Sequence, residues 1–241
     1  MKSNGGNMKI IQVKDYNEMS AMAAQIIADQ IKKKPDTVLG CATGSSPIGT
    51  YAALVQMYKD SQADFSRVST FNLDEYCGLP GTHPQSYRYE MAANLFNHIN
   101  IKPENINSLD GMAADAESEC RRYEKLIGDA GIDLQILGIG LNGHIAFNEP
   151  DDVFHGNTRR VKLEQSSIDY NSRWFDDPKD VPTAALTMGM DTIMSARKII
   201  LLIMANKLEI FAKLMKSDID PKLPASILHK HANCTVIVAN S

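Results

Sequence analysis

The sequence predicts an α/β fold: an open, mainly parallel sheet with helices on both faces, a three-layer α/β/α arrangement of Rossmann-like type. Three observations predict it. Short β-rich runs alternate with segments of helical pattern along the chain. At 241 residues and 44% hydrophobic, the chain can bury one large core, which favours a single domain over residues 8–241. No repeat, low-complexity segment or Gly/Ser linker divides it. The polar residues MKSNGGN before Met8 are expected to lie outside the fold, as a disordered or expression-derived tail or the trace of an alternative start.

The elements run in order along the chain. The strand KIIQV (9–13) leads into the helical pattern YNEMSAMAAQIIADQIKKK (16–34). Pro35 precedes the strand TVLGC (37–41), and Pro47 opens the helix PIGTYAALVQMYKD (47–60), where its missing N–H costs nothing. The strand RVSTFNL (67–73) is followed by the helix SYRYEMAANLFNHI (86–99), and the helix AESECRRYEKLIGDA (116–130) by the strand DLQILGI (133–139). ARKIILLIM (196–204), KLEIFAKLMK (207–216) and CTVIVA (234–239) close the alternation as strand, helix and strand. Such crossover units build a sheet covered on both faces. Ligands of open sheets sit beyond the carboxyl ends of the strands, so the loops after TVLGC, RVSTFNL and LQILGI are where chemistry is sought.

Composition narrows the classes of partner. A formal net charge of −4 gives no general positive field for nucleic acid or an anionic membrane. Cys41, Cys77, Cys120 and Cys234 are scattered without a C-x-x-C pair, which suggests neither a zinc cluster nor a disulfide framework and fits a reducing cytoplasm. The longest apolar run, IILLIMA (199–205), is too short to span a bilayer, and the first residues have no signal-peptide pattern. A soluble protein is expected.

The first loop, LGCATGSSPIGTY, brings Thr43, Gly44, Ser45 and Ser46 between a strand and a helix N-terminus. Free N–H groups and hydroxyls gathered there make an anion pocket suited to phosphate; the competing reading is a plain helix cap by Ser45 or Ser46. The lysine of a Walker A loop is absent. The second loop, STFNLDEYCGLPGTHPQSYRYEM, places Asp74 and Glu75 directly after a strand. Adjacent side chains point apart, so at most one faces the pocket, as a base or metal ligand, unless both are simply solvated.

The third loop, LQILGIGLNGHIAFNEP, contains G-x-G-x-x-G. A dinucleotide site needs those glycines to open a helix of several turns, with an acid about 20 positions on. The chain continues instead as HIAFNEPDDVFHGNTR, with Pro150 and no helical apolar period. The glycines are better read as a tight turn that brings Asn142, His144 and Glu149 together, a ring oriented by a carboxylate for proton transfer. A His and Glu merely satisfied in a buried turn is the alternative. Arg173 in YNSRWF and Lys207 in MANKLEI stand where a cation could reach the same rim. His229 and His231 form an H-x-H pair, but alternate residues of an extended segment face opposite ways, which disfavours a shared metal. His83 has no assigned role.

Taken together, LGCATGSSPIGTY, FNLDEYCGLPGTHPQSY, LGIGLNGHIAFNEP, the TR at 158–159, NSRWF, PTAALTMGMDTIMSA and PASILHKH resemble the glucosamine-6-phosphate deaminase (isomerase) family, from about residue 8 to the end. The resemblance implies the same open α/β/α sandwich. It implies conversion of glucosamine 6-phosphate to fructose 6-phosphate and ammonia without cofactor or metal, in amino-sugar catabolism. The enolisation base then falls on Asp74, and the ring-opening groups on His144 and Glu149. Asn142 stands where many members have Asp; an amide orients a proton carrier but supplies no negative charge. The phosphate falls to Thr43, Gly44, Ser45, Ser46, Arg173 and Lys207. MAN before Lys207 departs from the usual Gly-containing turn. The ending resembles short bacterial forms, implying a monomer or small homo-oligomer without the regulation of larger members. A galactosamine 6-phosphate enzyme, a sugar-phosphate lactonase and a non-catalytic sensor remain as alternatives.

Overall fold

In the central strands, successive side chains enter two different apolar layers. Along β9 (Ile199–Ile203), Ile199, Leu201 and Ile203 join one layer while Ile200 and Leu202 join the other. The same division recurs in β10 (Cys234–Ala239), where Val236 and Val238 oppose Ile237 and Ala239. A strand buried on both faces has no solvent side, which is why IILLI and VIVA are apolar without interruption.

The computed structural model describes residues 8–164, 168, 172, 175, 177 and 180–241. The expected tail at 1–7 and Arg173 lie outside the described residues. Among the described residues, seven parallel strands run in the order β1-β10-β9-β6-β2-β3-β5. They are β1 (Lys9–Val13), β2 (Val38–Cys41), β3 (Ser69–Asn72), β5 (Ile106–Asn107) and β6 (Leu134–Leu137), with β9 and β10 as above. On one face lie α1 (Tyr16–Lys33), α2 (Ser45–Lys59) and α3 (Tyr87–Asn94), through Ile27, Leu54 and Met91. On the other lie α4 (Ala116–Ala130), α5 (Met190–Met194) and α6 (Leu208–Lys216), through Tyr123, Ile193 and Leu214. No helix of the described residues is long and apolar enough to cross a membrane.

Local chemistry sets the helix ends. The Asp15 side chain accepts the Glu18 N–H at the start of α1, and Asp115 accepts those of Glu117 and Ser118 at the start of α4. Lys32 and Lys33 face the negative end of α1.

Two features differ from the sequence reading. The helix expected to open at Pro47 begins at Ser45, so Pro47 is its third residue and still needs no intrahelical acceptor. A second, antiparallel sheet, β4-β8-β7, joins β4 (Asp74–Tyr76), β8 (Ala184–Thr187) and β7 (Arg159–Lys162). Asp74 and Glu75 are therefore paired strand residues, not a turn at a strand end.

This order positions the crevice. From β2 the chain moves outward through β3 to β5, then returns to β6 on the other side of β2. Loops leaving β2 and β6 consequently diverge, and the space beyond their carboxyl ends is where open sheets hold ligands.

Candidate active site

Gly44 is the N-cap of α2, in a left-handed backbone conformation (φ 84°). Among the described residues no side chain caps this helix; Ser45 and Ser46 are its first two residues rather than its cap, and its first N–H groups have no intrahelical acceptor. The turn is held from behind. Tyr16 Oη donates to the Ser45 carbonyl at 2.9 Å and accepts the Gly49 N–H at 2.8 Å. Glu90 Oε1 accepts the Gly44 N–H at 2.8 Å.

The two acids of the second loop take different tasks. The Glu75 carboxylate accepts the N–H groups of Tyr76, Tyr87 and Arg88, each at 2.9 Å, and so ties β4 to the first turn of α3. Asp74 points elsewhere, as alternation along a strand requires, and is 6% exposed. Burial first, then the charges of Glu75 and Glu90, hold its carboxyl well above the usual carboxylate range, and no hydrogen bond among the described residues offsets them. That is the setting of a carboxylate that accepts a proton readily.

In the third loop, Gly140 makes the close approach. A Cβ there would overlap the His144 imidazole, so the glycine leaves the ring its place. The Gly140 N–H donates to the His144 carbonyl and the Gly143 N–H to the Gly140 carbonyl, both at 3.0 Å, closing a tight turn rather than opening a helix. His144 Nδ1 lies 3.2 Å from Glu149 Oε1 but is not aligned for a straight hydrogen bond. Contacts of this kind often tighten only when a substrate arrives. Asn142 Nδ2 donates to Glu149 Oε2 at 2.6 Å, and Asn142 Oδ1 accepts the His144 N–H at 3.2 Å. Burial pushes the Glu149 carboxyl up, but His144 and Asn142 together bring it below its ordinary value.

The expected cations stand differently. Lys207 ends the 3-10 turn Ala205–Lys207 after β9, its N–H donating to the Met204 carbonyl at 2.8 Å. Met204 Sδ is 3.7 Å from Ser45 Oγ, so this turn abuts the start of α2. Burial pushes the Lys207 ammonium down. The histidines of LHKHANC are tied to different elements: His229 Nε2 donates to the Leu214 carbonyl at 2.9 Å and His231 Nε2 to the Ala196 carbonyl at 2.8 Å. Among the described residues no group of three or more His, Cys, Asp or Glu could hold a metal ion.

Glu90 escaped the sequence reading. It lies 46 residues beyond Gly44, in a helix whose pattern points only to a core face, and a lone acid there reads as solvated surface.

The comparisons bear on this geometry. The family model described as glucosamine-6-phosphate isomerases/6-phosphogluconolactonase matches residues 15–237. A glucosamine-6-phosphate deaminase of Thermoanaerobacter pseudethanolicus is 52% identical over 233 residues, 96% of this chain and 92% of the relative. One of Clostridium acetobutylicum is 50% identical, over 96% of this chain and 97% of its own. Among solved structures, a monomeric glucosamine-6-phosphate deaminase superposes with a TM-score of 0.92 at 44% identity, over 96% of this chain and 97% of that one. A 6-phosphogluconolactonase of Thermotoga maritima, at 19% identity and a TM-score of 0.77 over 96% of this chain and 99% of that one, shares the fold. The chain belongs to the glucosamine-6-phosphate isomerase/6-phosphogluconolactonase family.

Proposed function

We propose that the chain is a glucosamine-6-phosphate deaminase, converting glucosamine 6-phosphate and water to fructose 6-phosphate and ammonia. The observation that supports this reading is the buried Asp74, its carboxyl held well above the usual range, together with a His144 ring 3.2 Å from Glu149 in the loop after β6 and an α2 N-terminus without a side-chain cap among the described residues. Relatives with that activity, about half identical over nearly the whole chain, support it.

In this reading Ser45, Ser46 and the Thr43–Gly44 turn receive the phosphate, with Arg173 and Lys207 as its cations. Anchoring one end of the sugar lowers the barrier at the other. His144, oriented by Glu149 and Asn142, moves the proton that opens the pyranose ring. Asp74 takes the proton from C2 and returns it at C1 through an enol-type intermediate; water then enters at C2 and ammonia leaves. Ring opening breaks the C1–O5 bond, and addition of water to the C2 imine is followed by loss of its nitrogen as ammonia; the side chains supply the proton transfers that accompany each of these steps. The test is release of ammonia and fructose 6-phosphate from glucosamine and galactosamine 6-phosphates side by side. Turnover of the gluco isomer supports the reading, and preference for the galacto isomer overturns it. The chain is proposed to act as a monomer in the cytoplasm; sedimentation at working concentration checks its assembly.

Two variants examine the ring-opening group. His144→Gln is expected to slow reaction of the closed pyranose more than that of open-chain substrate, and equal losses would remove His144 from this role. Asn142→Asp sets a second carboxyl 2.6 Å from Glu149 Oε2, a separation at which like charges resist joint ionisation. Activity is expected to survive with the acid limb of its pH profile moved to higher pH. An unmoved profile would show that position 142 does not face the titrating pair.

A further inference from the structure

We infer that Glu90 is a positioning residue of the sugar-phosphate site, whose carboxylate both locks the turn at the head of α2 and adds its charge to the field around Asp74. The inference rests on the function proposed above. It begins from connectivity. Glu75 binds the N–H groups of Tyr87 and Arg88 and thereby fastens α3 to the strand carrying Asp74. From the same first turn, the Glu90 carboxylate crosses to accept the Gly44 N–H at 2.8 Å. The first turn of α3 thus joins the strand of Asp74 to the Gly44 turn. It is seated firmly, since Ser86 Oγ accepts the Tyr89 N–H at 3.1 Å and the Ser86 carbonyl accepts the Glu90 N–H at 3.0 Å.

The conformation that Glu90 holds needs a holder. Gly44 sits at φ 84°, and a Cβ built there meets nothing within 4 Å. Packing therefore does not fix the turn, and the open space beside it is where an anion would lie. With no side chain capping α2 among the described residues, the bond to Glu90 sets the direction of the Gly44 N–H.

The charge of Glu90 has a second consequence. The charges of Glu75 and Glu90 act on the buried Asp74; Glu90 also acts on Tyr51 of α2, Tyr76 of β4 and Tyr87 of α3, and Asp74 on Tyr123 of α4. Arg88 acts on Glu75. Glu90 has no ion-pair partner among the described residues, and burial raises its own proton affinity against the pull of the Gly44 N–H. A glutamine would accept the same N–H without adding negative charge. Glutamate in its place makes Asp74 a stronger base.

Two variants separate the two effects. Glu90→Gln keeps the hydrogen bond and removes the charge. KM for glucosamine 6-phosphate is expected not to rise, since the hydrogen bond persists and the charge removed repels the phosphate, while the acid limb of kcat/KM moves to lower pH by about half a pH unit, the effect of one charge at long range. Glu90→Leu removes both, and KM and the Kd of fructose 6-phosphate, measured by calorimetry, should rise roughly fivefold to tenfold, the net worth of one ordinary hydrogen bond. Circular dichroism of each variant confirms folding. An unmoved acid limb in Glu90→Gln, or unchanged fructose 6-phosphate affinity in Glu90→Leu, overturns the inference. Failure of the functional reading looks different: wild type itself would release no ammonia, while the calorimetric arm would still report on the turn.

Discussion

Asp74→Asn is expected to lower kcat by roughly 10³-fold or more, the upper part of the range for loss of a general acid–base group, while leaving sugar-phosphate affinity nearly unchanged. The proposed phosphate site is the head of α2, and Asp74 stands on a strand of the other sheet, so the two readouts should separate. The same substitution should stabilise the fold. The Asp74 carboxyl is held above its ordinary value, so the folded protein binds this proton more tightly than the unfolded chain does. Stability from this group is therefore present at low pH and is lost as pH rises from the unfolded value of about 3.9 through the higher folded one. An uncharged amide escapes that loss at neutral pH. The melting temperature of Asp74→Asn should exceed that of wild type at pH 7, and the gap should narrow on acidification. Each kcal/mol gained appears as about 2–4 °C in a chain of this size. A variant that is inactive and less stable at pH 7 would contradict the burial of Asp74 as a strained base.

Gly140→Ala carries the second large effect. The added methyl must occupy the space of the His144 ring, whose side chain is 33% exposed and can swing outward. Folding should survive with a loss of about 1 kcal/mol or less, because the ring yields rather than the backbone. Catalysis should not: displacement of a proton-transfer group by about 1 Å costs on the order of 10²-fold in rate. Comparison of kcat/KM with thermal denaturation decides the point. Equal activity in Gly140→Ala would mean that the ring position seen beside Glu149 is not the working one.

Much of the architecture was readable from the chain because most of the parallel strands are buried on both faces. Runs such as IILLI and VIVA leave no doubt about their setting, and the helix over 116–130 matches its pattern to the residue. The antiparallel sheet was not readable. DEY, RRVK and AALT are three or four residues long, two of them charged or polar and one dominated by alanine, and each becomes a strand only through its partners. β5 has two residues and gives no pattern at all.

The site divides along the same line. Asn142, His144 and Glu149 lie within eight residues, and the glycines around them announce a tight turn, so local sequence sufficed to bring them together. The divergence of Asp74 and Glu75 followed from strand alternation, though their strand did not. Glu75 as the cap of α3 and Glu90 as the acceptor of Gly44 depend on contacts across 12 and 46 residues, beyond what any local spacing records.

The most direct test of the central claim is the release of ammonia and fructose 6-phosphate from glucosamine 6-phosphate by wild type and by Asp74→Asn in the same assay. One ammonia per fructose 6-phosphate from wild type, and neither product above background from the variant, is the result predicted. Product formation by Asp74→Asn at the wild-type rate, or none from either protein, would contradict it.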